Sequence, residues 1–508
     1  MQDGRLSISN TVLPGMLVVF TVCAGVYRKS MRISDYIIYL RLPGSGKYLL
    51  VHGYTGAVDL VQPNVVEYLK HFEPAGKSNG ISSATTDALV KRGYLTDMSH
   101  EEEVARVKEL AEFLHRRRLR AEKWFLLIPS YNCNFACPYC YEGRISAGGT
   151  NWSRKTMSGE LVDSAYAAIK AMEPDNAKRR GIVLYGGEPL MAENYDAVRY
   201  ILERGMRENY VFIAVTNGYD LDRYRDFLGK GKIAMLQVSL DGSPESHNRR
   251  RHPRSGADSF RKIADNITMA LDAGARVSVR VNLDKENLSD LRLLNALFVS
   301  RGWIGNEKFR YYVAAVFNPE KENRRANNLA KGSLVKSALG ERRVCEDLSE
   351  LRVDDFGLEA GFAAAFTDGG LVPFRANFCS AQEGTYIFDP VGDIYSCWQS
   401  VGIENERVGR YFPVFNIDEA SVGRWRDRCV SVMPDCPECK YALFCGGGCE
   451  GLAYLTTGSH YNSYCDDFPN AFAHSVPAAY SNYLLKKKTL SLTDDDARPG
   501  LSPSSPLT

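Results

Sequence analysis

Cysteine spacing is the strongest chemical signal in this 508-residue sequence, which contains 13 cysteines. Cys133, Cys137 and Cys140 lie on one short segment with the spacing C-x3-C-x2-C, shortly after the apolar run WFLLI at 124–128. Three thiolates on one loop can bind three irons of a [4Fe–4S] cluster, and the absence of a fourth cysteine from the loop leaves one iron open. A structural zinc site is one alternative, although such sites usually have four closed ligands. Three buried structural thiols are the other.

Seven more cysteines form a second pattern near the other end of the sequence. Their spacing is C-x12-G-x4-C, then C-x2-C-x5-C-x3-C, then a final cysteine. A zinc ribbon would explain one quartet of ligands in this pattern but not all seven. Cys23 and Cys429 lie outside it and are interpreted as incidental or buried thiols. The members of the pattern are Cys379, Gly392, Cys397, Cys436, Cys439, Cys445, Cys449 and Cys465.

Short polar motifs accompany three further apolar runs that have the length and composition of strands. GGEP follows IVLY (182–185), TNG follows VFIAV (211–215), and SLDG lies at the end of AMLQVSL (234–240). The glycines of GGEP let the backbone approach a ligand closely, and its glutamate can accept a hydrogen bond from an ammonium group. Taken singly, each motif is commonly just a turn. The residues concerned are Gly186, Gly187, Glu188, Thr216, Asn217, Ser239 and Asp241.

Arginines form two further features of the same region. A run of three arginines at 249–251 follows SLDG, and a solvent-exposed basic patch is its simplest interpretation. Arg280 and Asn282 lie two positions apart in VSVRVNL (277–283), so both side chains face the same side of that strand. If that side is the interior of a barrel, Arg280 belongs to the same site as the polar motifs.

Hydrophobic periodicity predicts the elements that position these residues. Residues 124–316 alternate between strand-like and helix-like patterns and contain six apolar strand candidates. Six β/α repeats predict a parallel sheet, either open or rolled into part of a TIM-like barrel. In such folds the active site lies at the carboxyl ends of the strands, where the cysteine loop and the polar motifs occur. The expected fold class is α/β, with a partial (β/α)6 barrel.

The cysteine loop and the polar motifs together resemble the radical SAM superfamily, whose C-x3-C-x-aromatic-C motif is matched here by the loop at 133–140. The resemblance implies that the open iron binds the amino and carboxylate groups of S-adenosylmethionine. One electron from the reduced cluster then splits the sulfonium into methionine and a 5′-deoxyadenosyl radical. The resemblance also implies that the GGEP turn meets the methionine amino group. Contacts to S-adenosylmethionine are expected from Tyr139, Gly186, Gly187, Glu188, Thr216, Asn217, Ser239, Asp241 and Arg280.

The second cysteine pattern resembles the SPASM extension of radical SAM enzymes at every position. This resemblance implies two auxiliary [4Fe–4S] clusters with interleaved ligands. By position, Cys436, Cys439, Cys445 and Cys465 would bind the distal cluster, and Cys379, Cys397 and Cys449 the proximal one. Because the proximal set has only three thiolates, either Cys345 is its fourth ligand or one iron stays open for a substrate thiolate.

The segment 31–98 resembles a winged-helix module. It combines three strand-like runs with two short helical stretches, NVVEYLKHF (64–72) and TTDALVKRGYL (85–95). In relatives, such a module ahead of the radical SAM and SPASM domains binds the leader of a ribosomally made peptide, which adds as a strand to its sheet edge. DNA binding is the alternative, but the segment is not markedly basic. Residues 1–30 are interpreted as a mis-annotated start or a disordered segment, with a signal peptide as the alternative.

The composition is that of an ordinary globular protein, with 44% hydrophobic residues, 24% charged residues and a formal net charge of +2. This balance predicts no general attraction to nucleic acid or to membranes, and no apolar run reaches the roughly 18 residues of a membrane span. Exposed iron–sulfur sites predict a cytoplasmic location. The expected domains are 1–30, a winged-helix-like module at 31–98, a linker helix at 99–122, the barrel at 123–340, a linker at 341–372, the SPASM domain at 373–470, and a helix with a disordered tail at 471–508.

The combined resemblance implies an enzyme that oxidatively modifies a ribosomally synthesised peptide bound through its leader. Its electrons would come from a flavodoxin- or ferredoxin-type protein. A thioether between a cysteine sulfur and a carbon is the first expectation, because an open auxiliary iron could hold the thiolate. Carbon–carbon or ether crosslinks through aromatic residues are alternatives, as is maturation of a sulfatase or another protein subunit.

Two further points bear on these alternatives. Sulfatase-maturating relatives carry an aspartate base directly after the G-x4-C cysteine, where this chain has Trp398. A non-catalytic iron–sulfur electron carrier or a peptide-binding scaffold is the alternative outside enzymes, although neither would need the S-adenosylmethionine motifs. The sequence assigns no catalytic residue.

Overall fold

The computed structural model describes residues 31–73, 81–119, 123–140, 154–175, 181–316 and 328–496. The expectations for 1–30, for Cys23 and for the tail beyond 496 lie outside the described residues. The chain divides into two compact units, one with the described parts of 1–103, 355–374 and 471–508 and the other with those of 104–354 and 375–470. None of the helices in these ranges combines the length and the apolar character needed to cross a bilayer.

The first unit begins with small sheets and short helices. Its elements are β1 (Arg32–Ile33), β2 (Ile37–Arg41), β3 (Tyr48–His52), β4 (Val58–Val61), α1 (Pro63–Lys70), α2 (Ser83–Lys91) and β5 (Leu95–Thr96). The next helix, α3 (His100–Arg118), begins in the first unit and has most of its residues in the second. The three strands β2-β3-β4 form an antiparallel sheet in that order. Its apolar face packs with the helices around Leu50, Val66 and Leu69. The three strands and α1 lie close to their predicted positions, but α2 ends at Lys91 and Leu95 lies in β5, whereas the sequence predicted a helix over 85–95. The winged-helix assignment and the domain bounds stay predictions.

The second unit is organised around one large sheet. Its strands are β6 (Trp124–Leu127), β7 (Ile182–Leu184), β8 (Phe212–Thr216), β9 (Ile233–Ser239), β10 (Arg276–Leu283), β11 (Phe309–Ala315), β12 (Arg352–Val353), β13 (Thr385–Phe388), β14 (Asp393–Tyr395), β15 (Gly409–Arg410) and β16 (Asn416–Ile417). Among the described residues after α3, in both units, the α-helices are α4 (Gly159–Met172), α5 (Tyr195–Arg207), α6 (Pro244–Arg250), α7 (Phe260–Asp272), α8 (Leu291–Ser300), α9 (Lys331–Val344), α10 (Leu358–Asp368), α11 (Glu419–Arg426), α12 (Ala442–Cys445), α13 (Glu450–Thr457) and α14 (Phe468–Asp496).

The large sheet has the order β12-β11-β10-β9-β8-β7-β6-β13-β14-β15-β16. The six predicted strands are β6 to β11, and each is parallel to its neighbour in chain order. The sequence did not predict that β13 pairs in parallel with β6, in the register Thr385 with Trp124 and Phe388 with Leu127. The cysteine-rich region therefore continues the barrel sheet within the same unit.

The two faces of β10 identify the interior of the sheet. Val277 and Val279 are fully buried in the hydrophobic core, while Arg280 points to the opposite face. The Arg280 guanidinium interacts electrostatically with Tyr185, which follows β7, and with Asp354, which follows β12. Because these groups come from both directions along the sheet, the sheet curves around the side that bears Arg280. The expected partial α/β barrel is confirmed, and Arg280 faces its interior.

Two segments expected to be irregular contain regular structure. The expected linker at 341–372 includes β12 and α10, and α10 lies in the first unit with Phe362 packed against Phe472 of α14. The expected tail from Lys486 is helical as far as Asp496. Leucines and lysines are good helix formers and no proline occurs between Lys486 and Asp496, so the helix can continue through this segment.

Candidate active site

The first cysteine loop follows β6 and is fixed by backbone contacts with the segment 252–254. The Ala136 amide donates to the His252 carbonyl at 3.1 Å, and the Arg254 amide donates to the Asn134 carbonyl at 2.8 Å. The Arg254 side chain also donates from Nε to the Cys133 carbonyl at 3.0 Å. These three hydrogen bonds fix the backbone of the loop without using its thiols, although the Cys133 sulfur also accepts from the Phe135 amide at 3.4 Å.

The three thiols of this loop differ in exposure and interact with one another. Cys133 and Cys137 are half-buried, whereas Cys140 is exposed. Burial raises the pKa of the Cys133 thiol well above its usual range, and the negative charges of Glu188, Cys137 and Cys140 raise it further. A cationic cluster would stabilise these thiolates, so the donor set fits the [4Fe–4S] group that the motif implies. Among the described residues, no group of three His, Cys, Asp or Glu side chains is arranged to hold a single metal ion. The ligands of an iron–sulfur cluster do not need that arrangement, because each binds a different iron.

The GGEP turn packs directly on the cysteine loop. The Gly187 amide donates to the Ser130 carbonyl at 3.2 Å, and the Glu188 amide donates to the Asn132 carbonyl at 2.9 Å. A Cβ atom on Gly187 would lie 2.2 Å from the Asn132 oxygen, a distance that no side chain can tolerate. Position 187 therefore requires glycine because the backbone of the cysteine loop lies so close to it. The sequence had suggested another reason, the close approach of a ligand to the turn.

Glu188 joins the GGEP and TNG motifs. It is buried, with Oε1 accepting from the Thr216 hydroxyl at 2.5 Å and Oε2 accepting from the Asn217 amide at 2.6 Å. Burial raises the pKa of Glu188 to about 7, although these hydrogen bonds oppose the shift. Asn217 in turn donates to the Asn134 side chain in the cysteine loop at 2.8 Å. The GGEP turn, the TNG turn and the cysteine loop are therefore joined by hydrogen bonds into one polar site.

Tyr139 and Asp241 form a second connection across this site. The Tyr139 hydroxyl donates to Asp241, and Arg251 Nη1 donates to the same hydroxyl at 2.9 Å. The other Asp241 oxygen accepts from the Asn282 amide at 2.9 Å. The interpretation of the arginine run as a solvent-exposed patch is wrong for two of its members, because Arg250 and Arg251 have side-chain exposures of 5% and 11%.

The barrel interior contains polar and aromatic groups that the sequence motifs did not identify. Ser239, which is mostly buried, is paired in register with Arg280 on the adjacent strand. The Arg280 guanidinium lies 5.9 Å from the ring centroid of Tyr312, whose hydroxyl donates to Gln237 at 2.8 Å. The strand alternation around Arg280 could have indicated Gln237 and Tyr312, because both occupy the same face of neighbouring strands.

An aromatic pair lies at the carboxyl end of β7. The rings of Tyr185 and Trp398 are 6.1 Å apart at a tilt of 38°, and Trp398 is 43% exposed. Tyr185 directly precedes the GGEP turn and Trp398 directly follows Cys397. The pair therefore links the first cysteine region with the second, which sequence spacing alone could not reveal.

The second cysteine pattern is divided into two groups by electrostatic interactions. Cys445 interacts with Cys436, Cys439 and Cys465, and burial, followed by these charges, raises its pKa to about 12. Cys397 interacts instead with Cys449 and Cys379, and burial raises its pKa well above the usual range. This grouping coincides with the quartet and the trio predicted by position, while their role as ligands stays a prediction.

Cys345 directly follows the helix α9 and packs against the hydrophobic core of the second unit. Its interaction partner is Tyr311, whose hydroxyl donates to Asn295 of α8 at 2.7 Å. Asn295 also donates to the Asp347 carbonyl at 2.8 Å, which fixes the chain just after Cys345. Both possibilities for the trio, Cys345 as its fourth ligand or one open iron, stay predictions.

Comparisons with known proteins agree with this geometry. Residues 127–297 match the family model described as Radical SAM superfamily. The cysteine-type anaerobic sulfatase-maturating enzyme of Clostridium perfringens (strain 13 / Type A) is 20% identical over 370 residues, which cover 68% of this chain and 94% of that protein. The structure of native anSMEcpe with bound AdoMet and the Cp18Cys peptide covers 72% of this chain and 99% of that chain at 18% identity, with a TM-score of 0.55.

A weaker structural likeness extends over more of the chain. Streptococcus suis SuiB bound to the precursor peptide SuiA covers 85% of this chain and 98% of that chain, at 13% identity and a TM-score of 0.49. That likeness is too weak to say anything about function. The family match, together with the cysteine loop and the connected GGEP, TNG and SLDG motifs, identifies residues 127–297 as a radical SAM domain, so this chain is an enzyme that uses S-adenosylmethionine radical chemistry.

Proposed function

We propose that this enzyme oxidatively modifies a ribosomally synthesised peptide and that it forms a thioether between a cysteine sulfur and a carbon of that peptide. The observation that carries the proposal is the trio of mutually interacting thiols at Cys379, Cys397 and Cys449, of which Cys397 is buried and the other two are half-buried. A trio leaves one iron of a bound cluster without a protein thiolate, and that iron suits the thiolate of a substrate cysteine.

In this proposal Cys133, Cys137 and Cys140 hold the cluster that binds S-adenosylmethionine. When bound, that cluster would supply the electron that splits S-adenosylmethionine into methionine and a 5′-deoxyadenosyl radical. Glu188 would orient the methionine amino group, and its fixed contacts with Thr216 and Asn217 would restrict where that group can lie. Ser239 and Arg280 would line the adjacent part of the barrel interior.

The atom balance of a thioether supports a role for the second cysteine region. Forming a C–S bond from a C–H and an S–H group removes one hydrogen atom, one proton and one electron. The hydrogen atom leaves as part of 5′-deoxyadenosine, the proton passes to solvent, and the electron needs an acceptor. Iron–sulfur clusters held by the thiols of the trio and the quartet could accept this electron.

Formylglycine formation is the second candidate, because the curated relative is an anaerobic sulfatase-maturating enzyme. In this chain the residue after Cys397 is Trp398, and an indole N–H donates hydrogen bonds but cannot accept a proton. An oxidation that needs a base at this position is therefore less well supported than thioether formation. Crosslinking through aromatic residues stays an alternative product of the same radical.

Peptide recognition is assigned in this proposal to the first unit. The sheet β2-β3-β4 has two edge strands, and Leu60 on β4 is a large apolar side chain with 37% exposure. An extended leader could add to such an edge through main-chain hydrogen bonds and place an apolar side chain against Leu60. The proposal predicts that Leu60→Lys weakens leader binding while leaving cleavage of S-adenosylmethionine intact.

The decisive experiment uses anaerobically reconstituted protein, S-adenosylmethionine, a chemical reductant and a cysteine-containing precursor peptide encoded beside this gene. We expect 5′-deoxyadenosine and a peptide that has lost two hydrogen atoms and one alkylatable thiol. A peptide aldehyde would instead support formylglycine formation, and a crosslinked peptide with all thiols alkylatable would support a carbon or ether bond. Cys397→Ala should abolish the crosslink, whereas the matched control Cys345→Ala should retain it.

A further inference from the structure

A fully buried arginine lies beside both groups of the second cysteine region. Arg428 has 0% exposure and donates hydrogen bonds only to backbone carbonyls. Its Nε donates to His460 at 2.6 Å, its Nη1 to Gly448 at 2.9 Å, and its Nη2 to Gly447 at 3.0 Å and to Asn462 at 2.9 Å. Each nitrogen of the guanidinium therefore donates at least one hydrogen bond, and every acceptor is a neutral carbonyl.

Two of these carbonyls belong to the short link between the quartet and the trio. Cys445 of the quartet and Cys449 of the trio are separated by three glycines with φ values of +70°, +81° and +75°. A Cβ atom on the last of them, Gly448, would lie 1.8 Å from the Tyr464 carbonyl oxygen. Only glycine adopts this run of left-handed conformations readily, and the run presents successive carbonyls to Arg428.

The backbone of Arg428 is fixed as well as its side chain. Its carbonyl accepts from Asn377 Nδ2 at 2.8 Å and from Gln382 Nε2 at 3.2 Å. Asn377 and Gln382 flank Cys379, and Gln382 also accepts from the Cys379 amide at 3.2 Å. Arg428 is thus tied to the start of the trio through its main chain and to the link between the groups through its side chain.

The positive charge of Arg428 is not matched by an ion pair within the described residues. Its charge acts on Cys379 and Cys449 of the trio and on Cys436 of the quartet, where it opposes the effect of burial on the thiol pKa. It also acts on Glu450, which is itself hydrogen-bonded to His460. A buried guanidinium with only neutral acceptors is costly unless negative charge lies nearby.

We propose that Arg428 is a positioning residue that holds the Cys445–Cys449 link and supplies one fixed positive charge to both auxiliary clusters, raising the reduction potential of each. The inference rests on the proposed function, because it assumes that the quartet and the trio bind iron–sulfur clusters. Clusters with thiolate ligands would provide the negative charge that the buried guanidinium lacks. Since reduction adds an electron, a nearby cation favours the reduced form, which suits clusters that must accept an electron from substrate.

The test separates charge from hydrogen bonding with two variants. Both are made in a background in which Cys133, Cys137 and Cys140 are alanine, so that only auxiliary clusters can bind. Arg428→Gln removes the charge but keeps an amide donor, whereas Arg428→Lys keeps the charge but cannot reach four carbonyls. Iron content, rate of iron loss to a chelator and potentiometric titration followed by EPR are measured on each. Arg204→Gln, on the helix α5, is the matched control.

We expect Arg428→Gln to shift the midpoint potentials of both clusters to more negative values. Arg428→Lys should leave both potentials close to those of the background protein while iron is lost faster to the chelator. Arg204→Gln should change neither quantity. If Arg428→Gln leaves both midpoint potentials unchanged, or shifts the potential of only one cluster, the proposal that one charge acts on both clusters is overturned.

The other possible results also test the inference. If Arg428→Gln does not retain iron, an Arg428→Lys protein that loses iron no faster than the background overturns the positioning role, and faster loss supports it. If the background protein binds no iron at all, the auxiliary clusters are absent, and the proposed function fails together with this inference. Iron at the background level with unmoved potentials overturns the inference alone.

Discussion

The two cysteine regions of this enzyme are built in different ways. The first takes its three thiols from one loop whose backbone is held by hydrogen bonds to the segment 252–254, and one of these thiols is exposed. The second gathers thiols from residues 379 to 465, of which Cys439 and Cys465 are exposed, and places the buried Arg428 beside them. The first region is therefore formed by one short segment, whereas the second brings together segments that are distant in the sequence. Metal binding should be coupled to folding in the second region far more strongly than in the first.

The largest effect that tests this contrast is expected from the first loop. Replacing Cys133, Cys137 and Cys140 together by alanine should lower 5′-deoxyadenosine formation by at least about 100-fold, because the S-adenosylmethionine cluster is lost. The melting temperature should move by no more than about 2 °C, because the loop is held by its backbone. Product assay by chromatography and thermal denaturation measure the two quantities. A large fall in melting temperature would contradict a preformed loop.

A single substitution in the quartet should lower the melting temperature more than the triple substitution in the first loop does. Cys445→Ala is expected to remove the iron of one auxiliary cluster and to lower the melting temperature by about 5 °C or more, because buried thiols then lose the group that joins them. Iron analysis and calorimetry under anaerobic conditions provide the measurement. Cys429→Ser is the matched control, because Cys429 is equally buried but lies outside the quartet and the trio. Equal melting temperatures for both variants would remove the contrast between the two regions.

A smaller effect is expected where the GGEP turn meets the first loop. Gly187→Ala would force a Cβ atom to within 2.2 Å of the Asn132 oxygen, so the turn must move away from the loop. We expect binding of S-adenosylmethionine to weaken by about tenfold, roughly 1.4 kcal/mol, as measured by equilibrium dialysis. Gly340→Ala on α9 is the control, because nothing lies within 4 Å of its Cβ position and alanine favours a helix. Unchanged affinity in Gly187→Ala would show that the close approach is not required.

The smallest effect concerns a direct link between the first loop and the β13–β14 hairpin. The Tyr131 hydroxyl donates to Asp389 at 2.7 Å, and burial raises the pKa of Asp389 to about 7. An acid whose pKa is higher in the folded state stabilises the fold fully below its unfolded pKa of about 4, and this contribution is lost as the pH rises through 7. Asp389→Asn should therefore raise the melting temperature relative to wild type by about 2–4 °C at pH 8 and by less at pH 5. The same difference at both pH values would contradict the assigned pKa.

Much of the barrel was predictable because its signals are local. Each of the strands β6 to β11 is an apolar run that can be recognised within a few residues, and the motifs lie directly after those runs. The cysteine patterns were predictable for the same reason, since their spacing is a property of the chain alone. The connected hydrogen bonds of Glu188 then follow from strand ends that meet at one edge of a parallel sheet.

The features that sequence reasoning missed depend on contacts between distant residues. The parallel pairing of β13 with β6 joins segments about 260 positions apart, and no periodicity within either segment encodes it. The burial of Arg250 depends on Asp284, its partner at 2.8 Å, so charge alone wrongly indicated an exposed patch. Arg428 was missed because nothing in the surrounding sequence shows that four carbonyls converge on it.

The parallel ladder between β13 and β6 has a consequence for any attempt to shorten this protein. A chain that ends before Thr385 would leave the outer hydrogen-bonding groups of Trp124 to Leu127 without their partner strand. An apolar strand with a bare edge is a template for pairing with another chain, so such a fragment should aggregate rather than remain a monomeric barrel. The cysteine-rich region therefore also protects the edge of β6 from pairing with other chains.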